Sequence, residues 1–290
     1  MQILTDWSDN TQKRLDAVLA GGAGLAAFDF DHTLIHGDQG EAVMAEMVLG
    51  GHVCAGESWF WDRWPESTYQ RREKLKNDFE RYKHFNEPDL LADWLDGIVD
   101  VYEQIHAEHG TEAAYRWSSI FFAGLLPDQM QALSKTVFDE QLRRNESVAL
   151  PSGRELPPGI RIKPQVQSLI ETMHKEGWQV YIVTASPKIA IAAIAERWGI
   201  DQDHVVGMEL EPLADGRLGP HIIEPYSCGD GKVSALREKT QNPLRFAAGD
   251  SMMDLPLLEA AENSLVLDRG SVRLRQRAEE KGWIFESISP

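Results

Sequence analysis

The chain has 290 residues, enough to bury a substantial core as one large domain or two modest ones. It is 42% hydrophobic and 26% charged, the balance of a folded globular protein and not of a disordered one. With 29 basic against 46 acidic residues the formal charge is -17, which argues against nucleic acid or an anionic membrane surface as partner. A phosphate-bearing substrate stays open, because a bound metal inverts the local field.

In chain order, Asp6, Asp9, Lys13 and Arg14 interrupt any apolar run near the start. Neither a secretory segment nor a membrane span is predicted there, and a cytoplasmic location is expected. Residues 25–30, LAAFDF, predict a short buried strand after the Gly21-Gly22-Ala23-Gly24 break. Asp29 and Asp31 lie at its end, where burying unpaired charge is expensive. Turn chemistry is one explanation and a functional site is the other. Cys54 and Cys228 form no CxxC pair, so reduced thiols are expected.

From about residue 41 to 148 the texture becomes helical, with EAVMAEMVL and PDLLADWLDGIVDVYEQI as its clearest stretches. Residues 150–164, LPSGRELPPGIRIKP, read as a return linker or hinge. Val166, Leu169, Ile170 and Met173 then predict a helix stopping at Gly177, and WQVYIVTAS a strand running into a loop. Pro187 suits the first turn of a further helix with Ile191, Ile194, Ala195 and Trp198 on its apolar face. HVVGMELEPLADGRLGPHII predicts a hairpin turning at Asp215-Gly216. LRFAAGD, LPLLEAAE and SLVLD follow as strand, helix and strand. Such alternation predicts an α/β fold with a largely parallel sheet flanked by helices. The expected organisation is a discontinuous core, residues 1–37 and 160–290, interrupted by a mainly helical domain, residues 38–159.

Four segments carry reactive side chains: FDFDHT with Asp29, Asp31 and Thr33, VYIVTAS with Thr184 and Ser186, DGKVSAL with Lys232, and FAAGDSMMD with Asp250 and Asp254. Each alone has an ordinary explanation. Together, three of them directly after strand-like runs, they fall where open α/β sheets bind ligands. Asp29 and Asp250 suit a hard divalent cation, the Thr184 hydroxyl and Lys232 ammonium suit phosphoryl oxygens, and Ser186 is expected at the substrate. One carboxylate is then free to attack phosphorus and the other to exchange protons with leaving group and water.

These residues resemble the motifs of haloacid-dehalogenase (HAD) superfamily phosphatases: DxDxT at Asp29 to Thr33, Thr184 after VYIV, Lys232, and GDxxxD at Gly249 to Asp254. The resemblance implies a Rossmann-like core, Asp29 as nucleophile and Asp31 as general acid/base. It also implies Mg2+ held by Asp29, the Asp31 carbonyl and Asp250, with Asp254 supporting the metal. The helical insert occupies the place of a C1-type cap and resembles the phosphoserine phosphatase-like branch. TASP, VVGM and DGK are similar to segments of phosphorylcholine phosphatases. Asp38 falls where that phosphoserine branch places a carboxylate for the substrate's amino group, and Glu41 is expected to act likewise; an N-cap is the equal alternative for Asp38. Met253 stands where phosphoserine phosphatases usually carry Asn, which argues away from phosphoserine.

Residues 57–69, ESWFWDRWPESTY, set Trp59, Phe60, Trp61, Trp64 and Tyr69 among carboxylates. That mixture suits a quaternary ammonium, with Trp59 and Trp61 as its walls, or else the insert's own core. The expected function is therefore Mg2+-dependent hydrolysis of a small amine-bearing phosphate such as phosphocholine. Phosphoserine or another metabolite phosphate is the alternative substrate, and an idle fold that binds a phosphorylated ligand is the alternative class.

Overall fold

The computed structural model describes residues 7–85, 89–150 and 153–288. Asp6, and residues 151–152 of the expected hinge, lie outside the described residues. The chain forms two compact units. The first comprises the described parts of Met1–Asp38, Ile160–Met208 and Glu224–Pro290, and the second Gln39–Gly159 with Glu209–Ile223.

The first unit is built on six strands: β1 (Leu25–Phe28), β2 (Gln179–Pro187), β3 (Val205–Met208), β4 (Leu244–Gly249), β5 (Asn263–Leu267) and β6 (Ile284–Glu286). Their order is β6-β5-β4-β1-β2-β3, and every neighbouring pair is parallel. All four residues of β1 are buried, as expected of a central strand covered on both faces. One face packs Leu25, Ala27, Tyr181, Val183, Ala247 and Val266 against Leu236, Leu257, Leu258 and Leu274 of the following helices. On the other, the Phe28 and Phe246 rings meet at 5.5 Å. From β1 the chain moves outward through β2 and β3, then returns to the far side of β1 for β4. Strand order thus reverses between β1 and β4, and the carboxyl ends of strands at such a switch point are where open α/β sheets bind ligands.

Several predicted elements differ in their limits. β1 ends at Phe28, because the Phe30 carbonyl already accepts from the Thr33 and Leu34 N–H groups and so closes a turn. Pro187 closes β2, with the helix Lys188–Ala192 behind it. Ile191, Ile194, Ala195 and Trp198 are buried, but the helix breaks into two short segments with Ile194 between them, the second a 3-10 turn ended by Gly199 in the left-handed region. Helix Pro164–Lys175 begins on its proline and stops before Gly177, at φ 81°.

The predicted hairpin divides. VVGM, a wholly apolar run, becomes the parallel edge strand β3, whereas Leu210–Pro212 and Leu218–Ile222 pair antiparallel around the Asp215-Gly216 turn. This hairpin folds with the second unit: Gly124 N–H donates to the Leu218 carbonyl at 2.8 Å, and Leu218 N–H to the Leu125 carbonyl at 2.9 Å. Residues 209–223, expected in the core, thus belong to the second unit, because the hairpin's main-chain partners lie there.

The second unit is mainly helical. Its longest helix, Asp89–His109, buries Leu91, Trp94, Leu95, Ile98, Val101 and Ile105 at helical spacing. Phe60, Trp61, Trp64, Trp94, Trp117 and Phe121 form its aromatic centre. Among the described residues no helix is long and apolar enough to cross a membrane. Cys54 and Cys228 are both thiols.

Candidate active site

Asp29 N–H donates to the Ala248 carbonyl at 2.9 Å, carrying the β1–β4 pairing one residue past the strand. This delivers the Asp29 carboxylate to the switch point beside Asp250, which follows β4. The Thr33 hydroxyl lies between them, 2.9 Å from Asp29 Oδ2 and 3.3 Å from Asp250 Oδ1. Lys232, buried in the helix Asp230–Lys239, reaches Asp29 Oδ1 at 2.6 Å and Asp254 Oδ1 at 2.5 Å. Asp254 Oδ2 accepts from the Asp250 and Ser251 N–H groups and from the Ser251 hydroxyl. Both Asp254 oxygens are thereby occupied.

Three carboxylates in so little water repel one another. Burial first, then Asp254, pushes Asp29 up to about 8, against the pull of Lys232. Asp250 rises to about 6, again chiefly through burial and then Asp254, with Arg269 opposing. For Asp254 burial also pushes upward, but Lys232 and the Ser251 donors outweigh it and hold the carboxyl below its ordinary range. Burial alone would lower Lys232; its two carboxylate partners raise it instead.

One oxygen from each of Asp29, Asp250 and Asp254 lies within 4.8 Å of the others. The donors are hard oxygens, and two elevated carboxyls mark a place short of positive charge. Mg2+ fits such a set, since it takes one or two carboxylates and keeps its remaining positions for water and phosphate. Asp29 and Asp250 would be the direct donors to such an ion. Asp254, its oxygens taken up by Lys232 and the Asp250 and Ser251 N–H groups, would orient the site rather than bind the ion.

Asp31 points elsewhere: its Oδ2 accepts from the Ser186 hydroxyl at 2.6 Å. With this oxygen turned to Ser186, the Asp31 main-chain carbonyl would be the atom offered to a metal. Ser186, expected at the substrate, is engaged with Asp31, and its N–H donates to Thr184 Oγ1 at 3.1 Å. Thr184 is buried within β2, three residues before its end, and its carbonyl accepts from the Ser227 hydroxyl at 2.6 Å. Asp38 is half-buried just before the helix Gln39–Leu49, and Glu41 is exposed in that helix's first turn, where a carboxylate suits the helix dipole. Trp61 is buried, donates Nε1–H to the Ala55 carbonyl at 2.7 Å, and lies 5.0 Å from Phe60 and 5.2 Å from Trp64. That is a core position within the second unit. Trp59 is half-buried, 6.2 Å from the Phe60 ring.

Two cations of the site went unread in the sequence. Arg269 Nη1 donates to Asp250 Oδ2 at 2.9 Å from the loop after β5. Treating SLVLD like the other strand ends would have exposed it. Lys163 is buried beside the Asp31–Thr33 turn, and burial pushes its ammonium down to about 8. Burial likewise lowers His32 and His36 to about 4, so both are neutral at physiological pH.

Gly249 shows how tightly the site is assembled. A Cβ there would stand 2.5 Å from the Asp254 Cβ and 2.8 Å from its Cγ. Gly249→Ala is expected to push Asp254 off its Ser251 donors and weaken Mg2+ binding roughly 10- to 100-fold, the usual scale for lost support of a metal ligand. Isothermal titration with Mg2+ measures this; unchanged affinity would show that Asp254 tolerates the displacement.

A profile of the haloacid dehalogenase-like hydrolase family matches residues 99–259, more than half of the chain. The match includes Thr184, Lys232, Asp250 and Asp254, while Asp29 and Asp31 precede it. A histidinol-phosphatase from Neisseria meningitidis is 25% identical over 89% of this chain and 96% of its own length. A phosphoserine phosphatase from Halobacterium salinarum is 30% identical over 38% of this chain and 54% of its own. Among solved structures, a protein of unknown function from Anaerococcus prevotii superposes with a TM-score of 0.71 at 18% identity, covering 98% of this chain and 94% of that one. With the parallel sheet, the carboxylate cluster at its switch point and the family match in agreement, the chain belongs to the haloacid dehalogenase-like hydrolase family, in its phosphatase branch.

Proposed function

We propose that the chain is a Mg2+-dependent phosphomonoesterase that hydrolyses a small amine-bearing phosphate through an aspartyl-phosphate on Asp29. The observation that carries this reading is the Asp29 carboxylate, held between Lys232 and Thr33, with a second carboxylate, Asp31, two residues on and turned toward Ser186. Asp29 attacks phosphorus as the ester oxygen departs with a proton from Asp31. Water then attacks the aspartyl-phosphate, gives its proton to Asp31, and phosphate leaves with Asp29 regenerated. Thr184 and Lys232 hold phosphoryl oxygens. Mg2+ at Asp29, the Asp31 carbonyl and Asp250 supplies charge neutralisation for the transferring group.

The amine-bearing class contains both phosphocholine and histidinol phosphate. Trp61 lies in the core of the second unit, so the aromatic argument for a quaternary ammonium loses a wall. The relative matched along nearly its whole length is named a histidinol-phosphatase, which supports placing histidinol phosphate first. Phosphate release from histidinol phosphate, phosphocholine and phosphoserine, each with Mg2+ and with chelator, tests the proposal. Metal-dependent release ranked in that order is expected. Equal rates on esters without an amine would remove the substrate class, and binding without release from any ester would favour an idle fold.

A further inference from the structure

The chain's first reversal after Asp29 is fastened at nearly every peptide. The Phe30 carbonyl accepts from the Thr33 and Leu34 N–H groups, and His32 N–H donates to the Gly37 carbonyl at 3.1 Å. Ile35 and His36 then pair antiparallel with Ile162 and Arg161. Lys163 continues this ribbon: its N–H donates to the Leu34 carbonyl at 3.0 Å, while its ammonium turns back to donate to the His32 carbonyl. Among the described residues His32 is the non-glycine residue with positive φ, at 59°, a conformation that an L side chain resists. The peptide whose oxygen Lys163 holds is also the one whose N–H belongs to Thr33, and the Thr33 hydroxyl bridges Asp29 and Asp250. The preceding peptide carries the Asp31 carbonyl. Lys163 is 4% exposed, and an ammonium is an expensive group to bury for packing alone.

We infer that Lys163 is a positioning residue of the active site, whose bond to the His32 carbonyl locks the left-handed turn and so aims the Asp31 carbonyl and the Thr33 hydroxyl at the metal and the nucleophile. This rests on the functional reading above. Lys163 touches neither substrate nor metal in this role, so its loss lowers kcat and metal affinity and leaves KM in place. Charge alone predicts the opposite for the metal: removing a nearby cation strengthens Mg2+ binding. The direction of the change therefore separates the two roles.

The experiment is Mg2+ titration calorimetry and steady-state phosphate release for Lys163→Met and Lys163→Arg beside the wild type. Lys163→Met is expected to weaken Mg2+ binding and lower kcat, each about tenfold or more, with KM within about twofold. Lys163→Arg, which keeps a donor, is expected to recover most of both. Should Lys163→Met fail to fold, Lys163→Gln, whose amide stops one bond short, is judged by the same criteria. Tighter or unchanged Mg2+ binding, or a rise confined to KM, overturns the inference while the phosphatase reading stands. A wild type that neither binds Mg2+ nor frees phosphate overturns both.

Discussion

Asp29→Asn is expected to abolish phosphate release, by roughly 10^4-fold or more, the scale on which removal of a covalent nucleophile acts. The amide keeps the size of the carboxylate and one acceptor for Lys232 or Thr33, so folding is retained. Stability should change in an unusual direction. An acid whose pKa is higher folded than unfolded binds more protons in the native state between its ordinary 3.8 and about 8, so stability falls as pH rises across that interval. Without metal, the wild-type melting temperature is therefore expected to drop between pH 5 and pH 8, and Asp29→Asn to drop less. Adding Mg2+ should restore the wild type most at the alkaline end. Thermal scans at several pH values with and without Mg2+, alongside phosphate release, test the set; an Asp29→Asn enzyme of undiminished rate would end the mechanism.

The second large effect belongs to Lys232. Its ammonium, 2% exposed, is shared between Asp29 and Asp254. Lys232→Met fills the same space with no charge and leaves the carboxylates facing one another, at an expected cost of about 3–5 kcal/mol, as when one partner of a buried pair is removed. Activity should be lost with it. Asp254→Asn in the Lys232→Met background is expected to return part of the stability, because one of the stranded charges goes too. Urea denaturation of both single variants and the double variant measures the coupling; strict additivity would show that the two side chains do not act as a pair.

Asp29 and Asp250 were legible in the sequence because each follows an apolar run, and in a parallel sheet such run ends share one edge; the same rule pointed to Thr184, which the structure bonds to Ser186 and Ser227. Lys232 was legible through its place in a motif. Lys163 and Arg269 were not, because their partners lie 131 and 19 residues away and an isolated Lys or Arg is ordinarily a solvated surface residue. The aromatic run at 57–69 showed what the second unit is made of but not which way its rings point, and Trp61 turned inward. The limits of the hairpin failed for a related reason. Alternation and a turn at Asp215-Gly216 announce two strands, yet nothing local to them names the surface they pair with.

That pairing governs how the protein can be taken apart and rebuilt. The second unit is assembled from two separate lengths of chain, and Leu218 stitches them through the main-chain groups of Gly124 and Leu125. A fragment ending at residue 159 would strip those main-chain groups of their hairpin partners and leave them to water. Any chimaera that moves this unit onto another core must transplant residues 209–223 along with it. The cut sites for such an exchange number four, at 38/39, 159/160, 208/209 and 223/224, rather than two.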